Sequence, residues 1–290
     1  MRGIGYRFLH RIYSAGIPFS AVMAQQSEDA LRELFEGATL KNAKSLAQTI
    51  AAEHVTADLR ARVMQDRLVE ERIFLTHAFE PSFPSALKAI PNPPGWLFML
   101  GDLRVLQRPM IAIVGTRTPS DTGRFLTDCV CRLLEGSNVA TVSGLAAGVD
   151  ERVHALSLAL RVPTVAVLGT GILRDYPSHS RPQRDAIVAR GGLVLTEYLP
   201  EDGPGKENFV WRNRLQAGLA KMVIPTEWQL KSGTAHTVNF ALNAEKPVVG
   251  VDTSASPGET SLFLMRHGNQ RFRLPHEAAD LDDYITRVVT

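Results

Sequence analysis

The chain has 290 residues, of which 44% are hydrophobic and 21% are charged, a balance typical of a soluble globular protein. Its apolar residues occur in short runs, which excludes a membrane-spanning helix because such a helix needs roughly 18 uninterrupted apolar residues. The formal net charge of +2 permits nucleic-acid binding without indicating it, since binding depends on where the cations cluster.

The first residues carry positive charge, but Arg7, His10 and Arg11 interrupt the apolar core that a signal peptide requires. We therefore expect a cytoplasmic protein. The two cysteines, Cys129 and Cys131, point to different sides of an expected helix. That arrangement suits neither a disulfide framework nor a zinc site.

The N-terminal part of the chain has the pattern of helices. From Tyr6 to about Phe79, apolar residues recur at three- and four-residue spacing, as in LRELFEG and SLAQTIAAEHV. This predicts a small helical domain over residues 1–80. The next segment, EPSFPSALKAIPNPPGW, contains five prolines, which oppose regular structure and predict a connector packed on the core over residues 81–109.

From Met110 the pattern changes to short β-branched runs separated by helical stretches. The runs are MIAIVG, VATVSG, PTVAVLG, GGLVLTE, KMVIPTE and PVVGV. Starts about 25 to 30 residues apart fit a strand, a crossover helix and two tight turns. We predict an α/β, Rossmann-like domain over residues 110–275, with a mostly parallel sheet and helices on both faces. Residues 276–290 are expected to be a short tail.

Ligands of such sheets bind beyond the carboxyl ends of the strands, so the loops after the runs are the candidate site. The first loop is Gly115-Thr116-Arg117, after which Ser120 or Asp121 is expected to cap a helix. A glycine, free helix amides and a guanidinium together suit an anion. The alternative, that Gly115 is only a turn and Arg117 a solvated side chain, is equally open for this loop alone.

The second loop begins with Ser143-Gly144 and continues to Asp150, with His154 four residues later. Asp150 and His154 share a helix face, and a structural pairing is favoured over an acid–base pair, so we assign no catalytic residue. The glycine spacing is not GxGxxG and no Walker lysine is present, which disfavours a dehydrogenase and a P-loop enzyme.

The segment FVWRNR opens another helix and carries two arginines and two aromatic residues. Arg212 and Arg214 lie about 200° apart around a helix, so one is expected to bind phosphate or a carboxylate and the other to brace the fold. Phe209 and Trp211 are candidates for base stacking, although aromatic residues at helix starts more commonly fill the core.

The third loop, Lys231-Ser232-Gly233-Thr234, again combines hydroxyls, an ammonium and a helix start, which suits an anion. Three anion-binding loops at one edge of a sheet favour nucleic acid as the ligand. A nucleic-acid strand presents several phosphates in a row, whereas a mononucleotide needs only one such loop.

In these motifs and their order, the chain resembles the DprA (Smf) family of bacterial DNA-processing proteins. The matching blocks are AIVGTR, SGLAAGVD with His154, AVLGTG with Tyr176-Pro177, TEY, FVWRNR and LKSGTAHT, in order over roughly residues 80 to 270. The resemblance implies a homodimer that binds and protects single-stranded DNA in transformation, hands it to the recombinase RecA, needs no metal or nucleotide, and is not an enzyme.

The resemblance also implies which residues bind DNA. They are Gly115, Thr116, Arg117, Ser143, Gly144, Lys231, Ser232 and Gly233, with Arg212 or Arg214. The chain departs from the family at PSHS after Tyr176 and at Val251-Asp252, and it stops where many relatives begin a winged-helix domain.

Two other functions remain open. One is a nucleotide-binding sensor in which a single loop holds one phosphate. The other is a nucleoside-monophosphate phosphoribohydrolase, although the stretch KSGTAHTVN lacks the double glycine and the acid of the PGGxGTxxE block of those enzymes.

Overall fold

The structure is a computed structural model that describes residues 12, 15–17, 19–25, 27–37 and 43–290. The chain divides into two compact units. The first comprises Met1–Phe83 with Asn92–Trp96, and the second comprises Pro84–Pro91 with Leu97–Thr290. The expected helical start at Tyr6, and the residues Arg7, His10 and Arg11, lie outside the described residues.

The first unit contains helices α1 (Phe19–Ala24), α2 (Glu28–Gly37) and α3 (Ala43–Glu70) and strand β1 (Phe74–His77). Leu31 and Phe35, one turn apart on α2, are fully buried in its core. The helical prediction is wrong beyond Glu70. Arg72 adopts a left-handed backbone with φ of 55° and the Ile73 amide bonds the Leu68 carbonyl at 2.7 Å, a pairing that ends α3.

A mostly parallel sheet organises the second unit. Its strands are β2 (Trp96–Gly101), β3 (Met110–Gly115), β4 (Ala140–Ser143), β5 (Thr164–Val167), β6 (Leu193–Thr196) and β7 (Met222–Glu227). Their order is β2-β6-β5-β4-β3-β7, with every pairing parallel except that of β2 with β6. The predicted α/β fold is confirmed. The sixth run pairs in parallel with β7 at Val248 and then forms β8 (Gly250–Asp252), which pairs with β9 (Arg271–Arg273) in a separate small sheet.

Helices connect these strands and pack on the sheet. They are α4 (Ser85–Lys88), α5 (Asp121–Leu133), α6 (Val149–Ala159), α7 (Arg181–Ala189), α8 (Lys206–Leu219), α9 (Gly233–Asn243), α10 (Glu259–Arg266) and α11 (Ala278–Val289). Fully buried Ile111, Ile113, Val130, Val153 and Ile224 belong to one hydrophobic core, which fixes the strand ends. In the part of the chain that is described, no helix combines the length and apolarity needed to cross a membrane.

Residues 81–109 are more regular than the proline content predicts. They contain α4, the whole of sheet strand β2, and a 3₁₀ helix at Leu103–Gln107. The prolines do not interrupt these elements: Pro84 precedes the first turn of α4, and Pro91, Pro93 and Pro94 lie between α4 and β2. An irregular connector is therefore the wrong description, because prolines at helix starts and in turns are compatible with regular structure.

Residues 276–290 form a packed helix and not the expected tail. Leu281 and Ile285 lie one turn apart on α11, are 0% and 3% exposed, and join the core that contains Leu134 and Leu274. Apolar side chains at this spacing form one helical face that must be covered.

We expect Leu281→Ala to destabilise the second unit by about 2 to 4 kcal/mol, because it leaves a cavity in the main core. Urea unfolding followed by tryptophan fluorescence measures the change in unfolding free energy. Thr286→Ala, an exposed position on the same helix, is the matched control. Equal stability of L281A and the wild type would show that α11 is dispensable for the core.

Candidate nucleic-acid interface

A cavity of about 740 Å³ opens beyond the carboxyl end of β3, between the starts of α8 and α9. It brings together predicted residues from the first loop, the third loop and the FVWRNR segment. Those that line it are Gly115, Thr116, Arg117, Phe209, Arg212, Ser232, Gly233 and Thr234. The predicted residues Ser143, Gly144, Lys231, Arg214 and Trp211 are not part of its lining.

Arg117 is the exposed cation of the first loop. No carboxylate of the described residues lies within ion-pair distance of it, and its guanidinium carbon is 5.7 Å from the centroid of the Phe209 ring. Phe209 in turn packs on Tyr176, with ring centroids 4.9 Å apart. Tyr176 also lines the cavity, and sequence reasoning missed it as a stacking candidate because its loop carries no helix or strand pattern.

Ser120, one of the two residues predicted for the role, caps the start of α5. The Ser120 amide donates to Oε2 of Glu227 at 2.8 Å, and the Ser120 hydroxyl accepts from the Gly123 amide at 3.1 Å. Ser120, and not Asp121, is therefore the capping residue. At this helix start the amides of Ser120 and Gly123 are therefore already bonded and are not free for a phosphate. A carboxylate at a helix start stabilises it as an anionic ligand would.

Ser143 and Gly144 lie behind the cavity wall. Ser143 is fully buried and its hydroxyl donates to the Ile113 carbonyl at 2.7 Å. A Cβ on Gly144 would lie 2.6 Å from both the Arg212 guanidinium and an Asp150 carboxylate oxygen. Direct phosphate contact by either residue does not fit this burial. Gly144 instead provides the space in which Arg212 fits.

Arg212 forms the inner wall of the cavity. Arg212 is 3% exposed, and its guanidinium donates to the carbonyls of Gly144, at 2.7 Å, just beyond β4, and of Val167, at the end of β5. Burial raises the pKa of the Asp150 carboxyl, and the positive charge of Arg212 opposes that rise. Burial also lowers the pKa of Arg212, while Asp150 opposes that change.

Arg214 braces the fold. Both of its terminal nitrogens bond the Glu197 carboxylate, with Nη2 2.5 Å from Oε2, and the guanidinium lies 4.4 Å from the Trp211 ring centroid. Its side chain is 4% exposed. The structure thus separates two arginines that the sequence left equivalent: Arg212 faces the cavity and Arg214 does not.

The third loop joins the first through the start of α9. The Thr234 hydroxyl donates to the Gly115 carbonyl at 2.9 Å, and the Ser232 hydroxyl accepts from the Ala235 amide at 3.4 Å. Lys231 is exposed next to the lining residue Ser232. Lys206, at the start of α8, lines the cavity and is a cation that sequence reasoning missed, since no motif contains it.

His154 and Asp150 do not form an acid–base pair. His154 is fully buried, and its Nδ1 bonds the Thr164 hydroxyl at 2.8 Å. Burial lowers the pKa of His154 to about 3, with the charge of Arg212 adding to the effect. The structural interpretation of this histidine therefore fits its surroundings. Among the described residues, no group of His, Cys, Asp and Glu is arranged to hold a metal ion.

The match to a known protein family covers the part of the chain that contains this cavity. Residues 74–271 match the family model described as DNA recombination-mediator protein A. Protein Smf of Synechocystis sp. is 38% identical over 195 residues, covering 65% of this chain and 49% of that protein. DNA processing protein DprA of Streptococcus pneumoniae is 36% identical over 176 residues, covering 61% and 62%. The matched region thus spans about half to three fifths of these relatives.

Two solved structures are similar over most of their own length. The X-ray structure of DprA from Streptococcus pneumoniae is 25% identical, with a TM-score of 0.71, and covers 96% of this chain and 98% of that one. DprA from Helicobacter pylori, a structure that describes a single-stranded DNA binding mode, is 26% identical with a TM-score of 0.65. It covers 75% of this chain and 97% of that one.

We expect Arg214→Met to destabilise the protein by about 3 kcal/mol, because it removes the ion-pair partner of the Glu197 carboxylate, whose side chain is only 13% exposed. Chemical denaturation measures the loss. The double variant R214M/E197M should recover much of it, since both charges are then removed. Arg266→Met, at an exposed position on α10, is the control. A loss no larger than that of R266M would contradict the bracing role.

The buried His154 should make stability sensitive to acid. Its native pKa of about 3 lies below the ordinary 6.5, so between these values the unfolded chain binds a proton that the native state does not. Its contribution is complete above pH 6.5 and is lost as pH falls toward 3. His154→Gln should flatten the fall in unfolding free energy over this range, and exposed His236→Gln should not. If the unfolding free energies of H154Q and the wild type fell in parallel as the pH is lowered, His154 would not be a source of the acid sensitivity.

Proposed function

Because the chain belongs to the DNA recombination-mediator protein A family, we propose that it binds single-stranded DNA without sequence preference in the cavity beyond the carboxyl ends of its sheet. It acts in this proposal as a binding protein and not as an enzyme. The observation that carries it is Arg117, an exposed guanidinium that has no carboxylate partner among the described residues and lies at a cavity lined by two aromatic rings.

Phosphates are the first recognition element of the proposal. Arg117 and Lys231 lie on two loops near the cavity, Lys206 lies at the start of α8, and each of the three is exposed. A guanidinium and two ammonium groups are the side chains that most often bind phosphate oxygens. Because Arg212 is buried and bonded to carbonyls, its proposed role is to hold the cavity wall and to contribute positive potential, with no direct ion pair to the strand.

Bases are the second element. Phe209 and Tyr176 form a tilted pair inside the cavity, with Tyr176 37% exposed. Stacking on aromatic rings tolerates any base, since every base has a π face, which suits binding without sequence preference. Trp211, 42% exposed and outside the cavity lining, is a second stacking candidate for a strand that continues along α8.

The wider role is also a proposal. We infer that the protein protects incoming single-stranded DNA, presents it to the recombinase RecA during natural transformation and recombination, and acts in the cytoplasm as a homodimer without a metal or nucleotide cofactor. Family membership supports this role, as do relatives named as DNA processing proteins. The recombinase is the proposed partner because the family resemblance implies it.

Arg117→Ala and Lys231→Ala should each weaken binding of an oligo-dT strand. Each change should also reduce the slope of log K against log salt by about 0.7, the value for one phosphate of a single strand. Fluorescence anisotropy over a salt series measures both quantities. Arg266→Ala, which removes an exposed charge at the end of α10, is the control.

Two outcomes would overturn this proposal. One is equal binding by the wild type, R117A and K231A, which would remove the site assignment. The other is thermal stabilisation by mononucleotides with none by oligo-dT, which would favour the nucleotide sensor. Release of free base from a nucleotide panel would in turn show a phosphoribohydrolase.

A further inference from the structure

The opposite edge of the sheet, where the parallel strands begin, carries a row of cations. Arg190 precedes β6, Arg161 precedes β5, Arg108 precedes β3 and Lys221 precedes β7, and all four are exposed. Since β6, β5, β4, β3 and β7 are neighbours in that order, these residues follow one another along the edge. Adjacent strands lie about 4.8 Å apart, so the row is continuous except at β4, which Asn138 precedes.

Two cavities lie along this row. One, of about 380 Å³, is lined by residues that include Ser157, Arg161, Thr164 and Arg190. The other, of about 500 Å³, is lined by residues that include Arg104, Arg108 and Asn138. Pro163 lines both, and Gly192 and Gly191 each line one. We call the two together the amino-edge groove.

The groove has an excess of positive charge. The loops that enter β3, β4, β5, β6 and β7 hold five cations and two carboxylates, Asp102 and Glu135. Asp102 is paired with Arg104, whose Nη2 lies 2.8 Å from its Oδ2. Over the described part of the chain, no carboxylate lies within ion-pair distance of Arg108, Arg161 or Arg190.

The arginines without carboxylates keep donors for a ligand. Arg108 donates to the neutral amide oxygen of Asn138 at 3.1 Å, and Arg190 donates to the Leu158 carbonyl at 2.9 Å. Each guanidinium has five N–H donors, so most of these remain available. A guanidinium is also the side chain that binds phosphate oxygens in a bidentate manner.

The backbone of Arg161 ends helix α6. Its φ is 57°, in the left-handed region that glycine adopts without strain, and the Val162 amide donates to the Ser157 carbonyl at 2.9 Å. This helix end places the Arg161 side chain at the edge of the sheet next to Arg190. The competing explanation is that Arg161 and Arg190 only neutralise the ends of α6 and α7, and it is separable by experiment.

We propose that the amino-edge groove is a second phosphate-binding site, which a further segment of single-stranded nucleic acid occupies. A row of cations spaced along several strands matches a polymer of phosphates better than one compact anion. The groove shares no residue with the cavity at the carboxyl edge. The proposal rests on the proposed function for the identity of its ligand, but it depends on different residues and so can fail separately.

The test uses the double change Arg161→Gly and Arg190→Gln. Glycine at position 161 suits the left-handed backbone, which offsets the bond from Arg190 to the Leu158 carbonyl that the second change removes, so this variant should unfold at a temperature close to that of its parent. In a protein that already carries R117A and K231A, the double change should weaken the remaining oligo-dT binding at low salt by about tenfold or more. Arg266→Gln in the same background is the control.

A parallel arm with inorganic pyrophosphate identifies the source of the phosphate. If pyrophosphate stabilises the parent and R161G/R190Q abolishes that effect, the groove binds free phosphate anions. If R161G/R190Q loses oligo-dT binding, the groove binds a single strand of nucleic acid. The proposal is overturned if the double change alters the binding of neither oligo-dT nor pyrophosphate, or if the R117A/K231A parent binds neither ligand. Unaltered binding by R117A and K231A alone would overturn only the carboxyl-edge site.

Discussion

The buried guanidinium of Arg212 is the constraint around which the candidate interface is built. An arginine that is only 3% exposed requires several hydrogen-bond partners, and Arg212 takes them from the carbonyls of Gly144 and Val167. Those carbonyls lie at or just beyond the ends of β4 and β5, so one side chain ties α8 to two strands. Its neighbour Asn213 extends this by donating to the Gly233 carbonyl at 3.1 Å, which links α8 to the start of α9.

This internal bonding decides which groups remain for a ligand. The carboxylates of Glu227 and Glu197 occupy the start of α5 and the guanidinium of Arg214, two places where the sequence allowed a phosphate. Cations without such partners stand farther out, as Arg117 does at the cavity and Arg161 does at the opposite edge. These acids thus hold the fold, while the peripheral cations have no carboxylate partner among the described residues.

Local sequence patterns account for much of the fold and for part of the site. The β-branched runs predict five strands of the main sheet because side-chain periodicity within a strand depends only on neighbouring residues. The strand-end rule likewise predicts that Gly115 and Ser232 come together. The sequence patterns did not predict antiparallel β2, because it follows a proline-rich segment. They did not predict helix α11 either, because its apolar pattern is confined to a short segment.

The sequence by itself determined the α/β class, the family resemblance and the loops that surround the cavity. Only the tertiary structure decided between Arg212 and Arg214, because two arginines on one helix have identical chemistry until their neighbours are known. The same holds for Ser143 and Tyr176, whose burial and stacking depend on residues far away in the chain. Hydrogen-bond partners and exposure are properties of the packed environment, and no local pattern encodes them.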